Sequence, residues 1–231
     1  FTPCDKSVGS SKVGEITPSK KVRWDYSLKW KPPKFNTIDF LVKTKKTEAG
    51  EDFIQNIFVD GTDTSRVEQF NQYKTLILHV GFDENRHGFI NPCEDIINDN
   101  FPKFNGKSSY KAIPFIPYDP VPPYPIYMTN IMLPESKDEL LTEDKKQSFQ
   151  DDMVVEFRWA DNGKQGWQWI PIRVRYDKTS EYQRKGRITC NAYSTAEGVW
   201  RSINKPITEK MISTGLDIPQ VENDDIYYDR S

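Results

Sequence analysis

The chain has 231 residues, of which 36% are hydrophobic, 13% aromatic and 29% charged, and its net charge is −2. That length suits one large domain or two small ones, and the aromatic residues supply area for a packed core, while the near-neutral balance excludes a generally basic nucleic-acid binder, so any polyanion site must be local. Three distant cysteines (Cys4, Cys93, Cys190) exclude a CxxC zinc pattern and a disulfide framework and suit a reducing compartment; no run of about 18 apolar residues offers a membrane helix, and no signal peptide is read at the start, so neither a membrane partner nor secretion is expected.

Residues 1–20, rich in Gly, Ser, Lys and Pro, read as a loop, and 22–31 as a strand that Pro32-Pro33 stops, since proline cannot donate to a ladder. A second strand is predicted at Ile38–Lys43, a turn at Asp60-Gly61-Thr62-Asp63 and a third strand at Tyr73–Phe82. From about 83 to 150, Asn, Asp, Pro and Gly dominate; this reads as a loop-rich insertion with one strand at Ile126–Leu133, and Glu135–Ser148 as a solvated surface helix or loop. Alternation returns at Met153–Trp159, Asp161-Asn162-Gly163 makes a turn, and Trp167–Tyr176 runs back as the other arm of a hairpin. Ser194 or Thr195 caps a helix through about Ile203, which Pro206 ends, and 215–231 reads as an acidic linker. Short strands with one helix after a hairpin predict a mainly β (α+β) protein built on a small Greek-key barrel such as an OB-fold. The start at Phe1 and the end just past an acidic stretch lead us to expect a piece of a longer polypeptide.

Two charged patterns point to phosphate. In Leu28-Lys29-Trp30-Lys31-Pro32-Pro33, a strand projects Lys29 and Lys31 from one face, roughly 6–7 Å apart, and an anion between them relieves their repulsion. In Trp169-Ile170-Pro171-Ile172-Arg173-Val174-Arg175-Tyr176-Asp177-Lys178, period 2 gives Arg173, Arg175 and Asp177 one face, and Ile170, Ile172, Val174 and Tyr176 the core face. Arginine forks match phosphate oxygens, and the aspartate orients an arginine or a metal. Alone, each pattern also suits a plainer role, lysines guarding a sheet edge or cross-strand ion pairs. His79 and His87 have no partner at metal spacing, Val59-Asp60-Gly61 reads as a turn, and Trp159, Trp167 and Trp169 suit core packing or base stacking.

These strings resemble the covalent nucleotidyltransferases. Lys29-Trp30-Lys31-Pro32-Pro33 followed by Asn36-Thr37-Ile38-Asp39-Phe40 is similar to motif V in its capping-enzyme form, and Arg173-x-Arg175-x-Asp177-Lys178 to motif VI of the OB domain. With Trp167–Thr179 and Trp200–Ile212, the chain resembles the mRNA guanylyltransferases of large eukaryotic DNA viruses. The resemblance implies the end of a nucleotidyltransferase domain over 1–36, an OB-fold domain over 37–214 with the insertion at about 83–150, and a linker over 215–231 toward a methyltransferase. It implies transfer of GMP from GTP, through a lysyl–GMP intermediate, to the 5′-diphosphate end of RNA, with Mg²⁺ or Mn²⁺ held mostly by residues outside this chain. Lys29 and Lys31 would meet the α-phosphate, and Arg173, Arg175, Asp177 and Lys178 the β- and γ-phosphates. GTP and RNA are the expected partners, with a fused or associated RNA triphosphatase and cap guanine-N7 methyltransferase; a cytoplasmic viral factory or the virion is the expected location. The sequence departs from the family in having no Lys-x-Asp-Gly, so this chain alone is expected to be inactive. A polynucleotide ligase fragment and a non-catalytic OB module binding single-stranded RNA are the alternatives.

Overall fold

A computed structural model describes residues 30–58, 70–83, 110–134 and 139–216. The expected turn at 60–63, residues 22–29 of the strand expected over 22–31, Lys29, His87 and most of the linker lie outside the described residues, and residues 30–31, the described end of that strand, are not strand. Pro33–Ile207 forms one compact unit; residues 30–32 and 208–216 belong to another. In the second unit, 30–32 have no regular structure, and the short helix Glu209–Thr214 starts where the Thr208 hydroxyl accepts the Met211 amide at 3.2 Å.

The first unit is built around β1 (Thr37–Thr44), a strand with an apolar centre that is buried on both faces. Ile38, Phe40 and Val42 point into the main core, while Leu41 packs with Val154 and Cys190 on the other side. Period 2 therefore puts Asp39 on the Leu41 side, away from the main core. After a turn at Thr47–Gly50, β2 (Ile54–Phe58) follows. The 13-residue β3 (Phe70–Phe82) then pairs along both of its edges. One edge takes β2 and β1; the other takes β5 (Met128–Met132) and β4 (Lys111–Pro114), all antiparallel. On its free side β1 pairs with β8 (Val154–Trp159), which pairs with β9 (Trp169–Val174). The ends of this sheet meet where the Asn130 amide donates to the Gly166 carbonyl at 2.7 Å and the Thr129 hydroxyl to the Trp169 carbonyl at 3.0 Å. The result is the expected OB-type barrel, mainly β with few helices.

Aromatic side chains fill it. The Phe40 ring lies 5.6 Å from Phe115, 5.8 Å from Phe157 and 5.1 Å from Trp169, in tilted and edge-on arrangements worth ~1 kcal/mol each beyond burial. Trp169 and Trp200 are buried with their indole N–H groups donating to the carbonyls of Ile126 (2.9 Å) and Pro120 (2.8 Å). Trp159 packs edge-on to both, so two of the three tryptophans weighed for base stacking serve the core.

Two helices close the unit. The first, α1 (Tyr176–Lys185), leaves β9 directly, and the second, α2 (Tyr193–Asn204), packs Tyr193, Ala196 and Trp200 into the core. The expected helix from Ser194 to Ile203 is α2. By contrast α1 was not expected, because its sequence carries no apolar stripe. Its signals are electrostatic: Asp177 in the first turn, Arg184 and Lys185 in the last, and Gly186 in the left-handed region just after.

Three expectations are corrected. The predicted strand Trp167–Tyr176 ends at Val174, so Arg175 and Asp177 do not continue a strand face. A bulge leaves Ile172 unpaired, with Glu156 opposite Arg173 but Phe157 opposite Pro171. Trp169, Pro171 and Val174 are therefore the buried residues, and Tyr176, expected in the core, is 54% exposed. The stretch from about 83 to 150 carries the expected strand at 126–133 as β5, but it also supplies β4 to the main sheet and Phe115 to the core. Within it, the stretch read as a solvated helix or loop carries a small hairpin, β6 (Leu140–Leu141) and β7 (Ser148–Phe149), anchored by buried Leu140 and Phe149.

Candidate phosphate-binding site

The chain leaves β9 at Arg175 and enters α1, and this junction is stitched to β8. The Arg175 amide donates to the Val154 carbonyl at 2.8 Å, while the Val154 amide donates to the buried Thr179 hydroxyl at 2.9 Å. The first turn of α1 is thereby fixed over the outer face of β1, where Asp39 waits.

Asp39 is buried, and one carboxylate oxygen, Oδ2, accepts from both cations of the motif: from the Arg175 guanidinium through Nη1 and from Lys178 Nζ at 2.7 Å. Its backbone is clamped by Asn191, whose side chain accepts the Asp39 amide at 2.7 Å and whose own amide donates to the Asp39 carbonyl at 2.9 Å. On the solvent side, Arg175 donates Nε and Nη2 to the two oxygens of Asp177, at 3.2 and 3.1 Å. The Asp177 side chain is 67% exposed, against 9% for Asp39. The Arg175 fork holds the Asp177 carboxyl below its usual range, and Asp177, with Asp39 behind it, raises the guanidinium against the opposing effect of burial.

The two acids thus differ in kind. Asp39 is a fixed internal anchor that gathers a planar fork and a point charge at one spot. Asp177 is a solvent-facing partner on a short tether, which an incoming anion of higher charge can displace. The four groups sum to zero charge, so the cations are neutralised internally when no ligand is present.

Arg173 has a different partner. Its Nε donates to Glu156 at 2.9 Å across the β8–β9 pair, and the Thr37 hydroxyl donates to the same carboxylate at 2.6 Å. Burial pushes the Glu156 carboxyl up, but the Thr37 and Arg173 bonds outweigh it and leave it low. Lys29 lies outside the described residues, and Lys31 is exposed in the segment 30–32. Among the described residues no three His, Cys, Asp or Glu side chains converge as a metal site requires, and Asp39 Oδ2 and both Asp177 oxygens are turned to cations of the chain itself.

Sequence reasoning missed Asp39 and Asn191 as parts of this cluster. A signal existed for the first: a lone acid inside the apolar run Ile38-Asp39-Phe40-Leu41-Val42 needs a buried cation. Asn191 carried no comparable mark.

Residues 125–213 match the family described as mRNA capping enzyme, C-terminal domain. That match takes in Arg173, Arg175, Asp177, Lys178 and Asn191 but stops short of Asp39 and Lys31. Over 189 residues the chain is 31% identical to a probable mRNA-capping enzyme of Acanthamoeba polyphaga mimivirus, an alignment covering 80% of this chain and 13% of that protein.

Proposed function

We propose that this chain, which belongs with the mRNA capping enzymes through their C-terminal domain, is the phosphate-facing lid of a guanylyltransferase. In that reaction a lysine nitrogen attacks the α-phosphorus of GTP, the bond to the β,γ-diphosphate breaks, and the resulting lysyl–GMP passes GMP to the terminal phosphate oxygen of a 5′-diphosphate RNA. Arg175 and Lys178 meet the β- and γ-phosphates and carry the charge that grows on departing pyrophosphate. Asp177 yields to the incoming phosphates, and Asp39 keeps both cations aimed. Lys29 and Lys31 face the α-phosphate. Arg173, paired with Glu156, contributes at the edge of the same face.

The observation that carries this reading is the convergence of Arg175 and Lys178 on the single buried carboxylate of Asp39. The attacking lysine is expected on a Lys-x-Asp-Gly segment that this sequence does not contain. A divalent ion, held mostly by residues outside this chain, would supply charge neutralisation of the triphosphate. An RNA triphosphatase and a cap guanine-N7 methyltransferase are the natural associates, in a viral factory or virion.

Incubation with GTP labelled at the α-phosphate tests this. The chain alone should take up no covalent label. Joined to a nucleotidyltransferase domain bearing Lys-x-Asp-Gly, it should raise labelling, and Arg175→Ala or Lys178→Ala should lower that rate by roughly 100-fold. A labelled lysine in the chain alone, or wild-type rates in both variants, overturns the lid reading.

A further inference from the structure

A second site lies at the opposite end of β9 from the charged cluster. A cleft of about 380 Å³ opens between β5, the β6–β7 hairpin and the first residues of β9. Leu133, Trp169 and Pro171 give it an apolar lining, Met132 is 40% exposed beside them, and half-buried Trp167 forms a wall. The Trp167 ring is braced by Tyr73, whose centroid lies 5.1 Å away.

The rim carries a cation that the fold leaves available. Lys145 is exposed and, among the described residues, stands outside the ion pairs that occupy Lys146, Arg158 and Arg173. Glu143, the acid in the lining, is matched by Arg158. The Lys145 backbone sits at φ +56°, a left-handed conformation that costs a non-glycine residue roughly 1 kcal/mol, and such strain gathers at ligand sites. The turn is held in that shape by the Lys145 amide donating to the Thr142 carbonyl at 2.8 Å.

We propose that this cleft seats one unpaired nucleobase of RNA, stacked on Trp167, with the adjoining phosphate against Lys145. The volume stands at the lower end of small-ligand sites, where a planar ring fits. A single available cation beside an aromatic wall matches a base and its phosphate, whereas an apolar peptide would leave Lys145 unused. From Trp169 to Arg175 the chain advances about 20 Å at ~3.3 Å per residue, so a few nucleotides of acceptor RNA link the cleft to the phosphate cluster. The inference deepens the lid reading and rests on it for the identity of the RNA as acceptor.

Binding of this chain to a short fluorescent oligouridine, read by anisotropy at several salt concentrations, tests the proposal. Trp167→Ala should weaken binding about tenfold, Trp167→Phe should recover most of the loss, and Lys145→Ala should reduce the salt slope by about one. Crosslinking of an iodouridine version should map to the peptide that carries Trp167. Wild-type affinity in Trp167→Ala, or an unchanged salt slope in Lys145→Ala together with crosslinks elsewhere, or preference for an apolar peptide over RNA, overturns it. Should Trp167→Ala fail to fold, the lysine variant and the crosslink still decide. The two readings fail separately: loss of RNA binding in these variants while Arg175→Ala leaves GTP labelling intact removes the lid and keeps the cleft.

Discussion

At the scale of single residues, Asp39 is the most consequential side chain of the cluster. It is buried, holds two cations from α1, and has its own backbone fixed by Asn191. Removing it takes the carboxylate from Lys178 and leaves Arg175 with Asp177 alone, and both cations are only about a quarter exposed. Full burial would make that loss larger, so Asp39→Ala should destabilise the unit by about 2 kcal/mol. Asp39→Asn keeps the shape and loses the charge, and should fall between the two. Urea unfolding of the three proteins checks the order; wild-type stability in Asp39→Ala would mean that Arg175 and Lys178 do not depend on it. The motif residues Arg175, Asp177 and Lys178 were legible as a charged string. Their common anchor was not, because it lies 136 residues from Arg175 and joins it only through the fold.

Elements show which physical signals survive in a sequence. The strands β1, β3, β8 and β9 were visible because apolar alternation and a glycine turn are local properties. The helix α2 was visible through its stripe of Val199, Trp200 and Ile203. In α1 the apolar signal is absent, since packing asks little of it beyond Thr179 and the half-buried Tyr182. The strand expected at Ile126–Leu133 is β5, but β4, β6 and β7 depend on partners for their identity: β3 supplies the ladder for β4, and the core supplies a seat for Leu140 and Phe149. Gly186 tests how α1 is terminated. Its φ is +62°, and a Cβ there would meet nothing within 4 Å, so any penalty comes from the backbone alone. Gly186→Ala should cost about 1 kcal/mol and lower the Tm by about 3 °C. An unchanged melt would show that the helix end relaxes freely.

For the whole molecule, acid is the sensitive direction. Asp52 is held below its ordinary 3.8 first by the Lys46 bond and then, against burial, by Lys74. Asp151 is pushed up by burial, yet its bonds from Thr44 and Lys46 bring it lower still. Asp177 and Glu156 are also depressed. A carboxylate with a depressed folded pKa stabilises the protein above its unfolded value and loses that contribution as pH falls through the folded one. Glu197 runs the other way: burial raises it above 4.5, so its contribution is present below that value and shrinks as pH climbs toward the folded pKa. Thermal melts should therefore drop steeply below about pH 4, where the four depressed acids take up protons together. In Glu197→Gln the slope between pH 5 and neutrality should flatten, by the same linkage. A Tm that stays level into strong acid would show that these pairs add nothing to stability.

The two loaded edges of β3 also shape how the protein is made. Once Phe82 has left the ribosome, β1, β2 and β3 can pair along one edge. The other edge then stays open until Met132 follows, some 50 residues later, which takes roughly 3 to 10 s at ordinary synthesis rates. During that interval a long apolar strand offers a row of unpaired backbone groups to any neighbour on the same polysome. Until its second set of strands arrives, β3 is therefore a segment of the nascent chain that can pair with another copy instead of with its own β4 and β5.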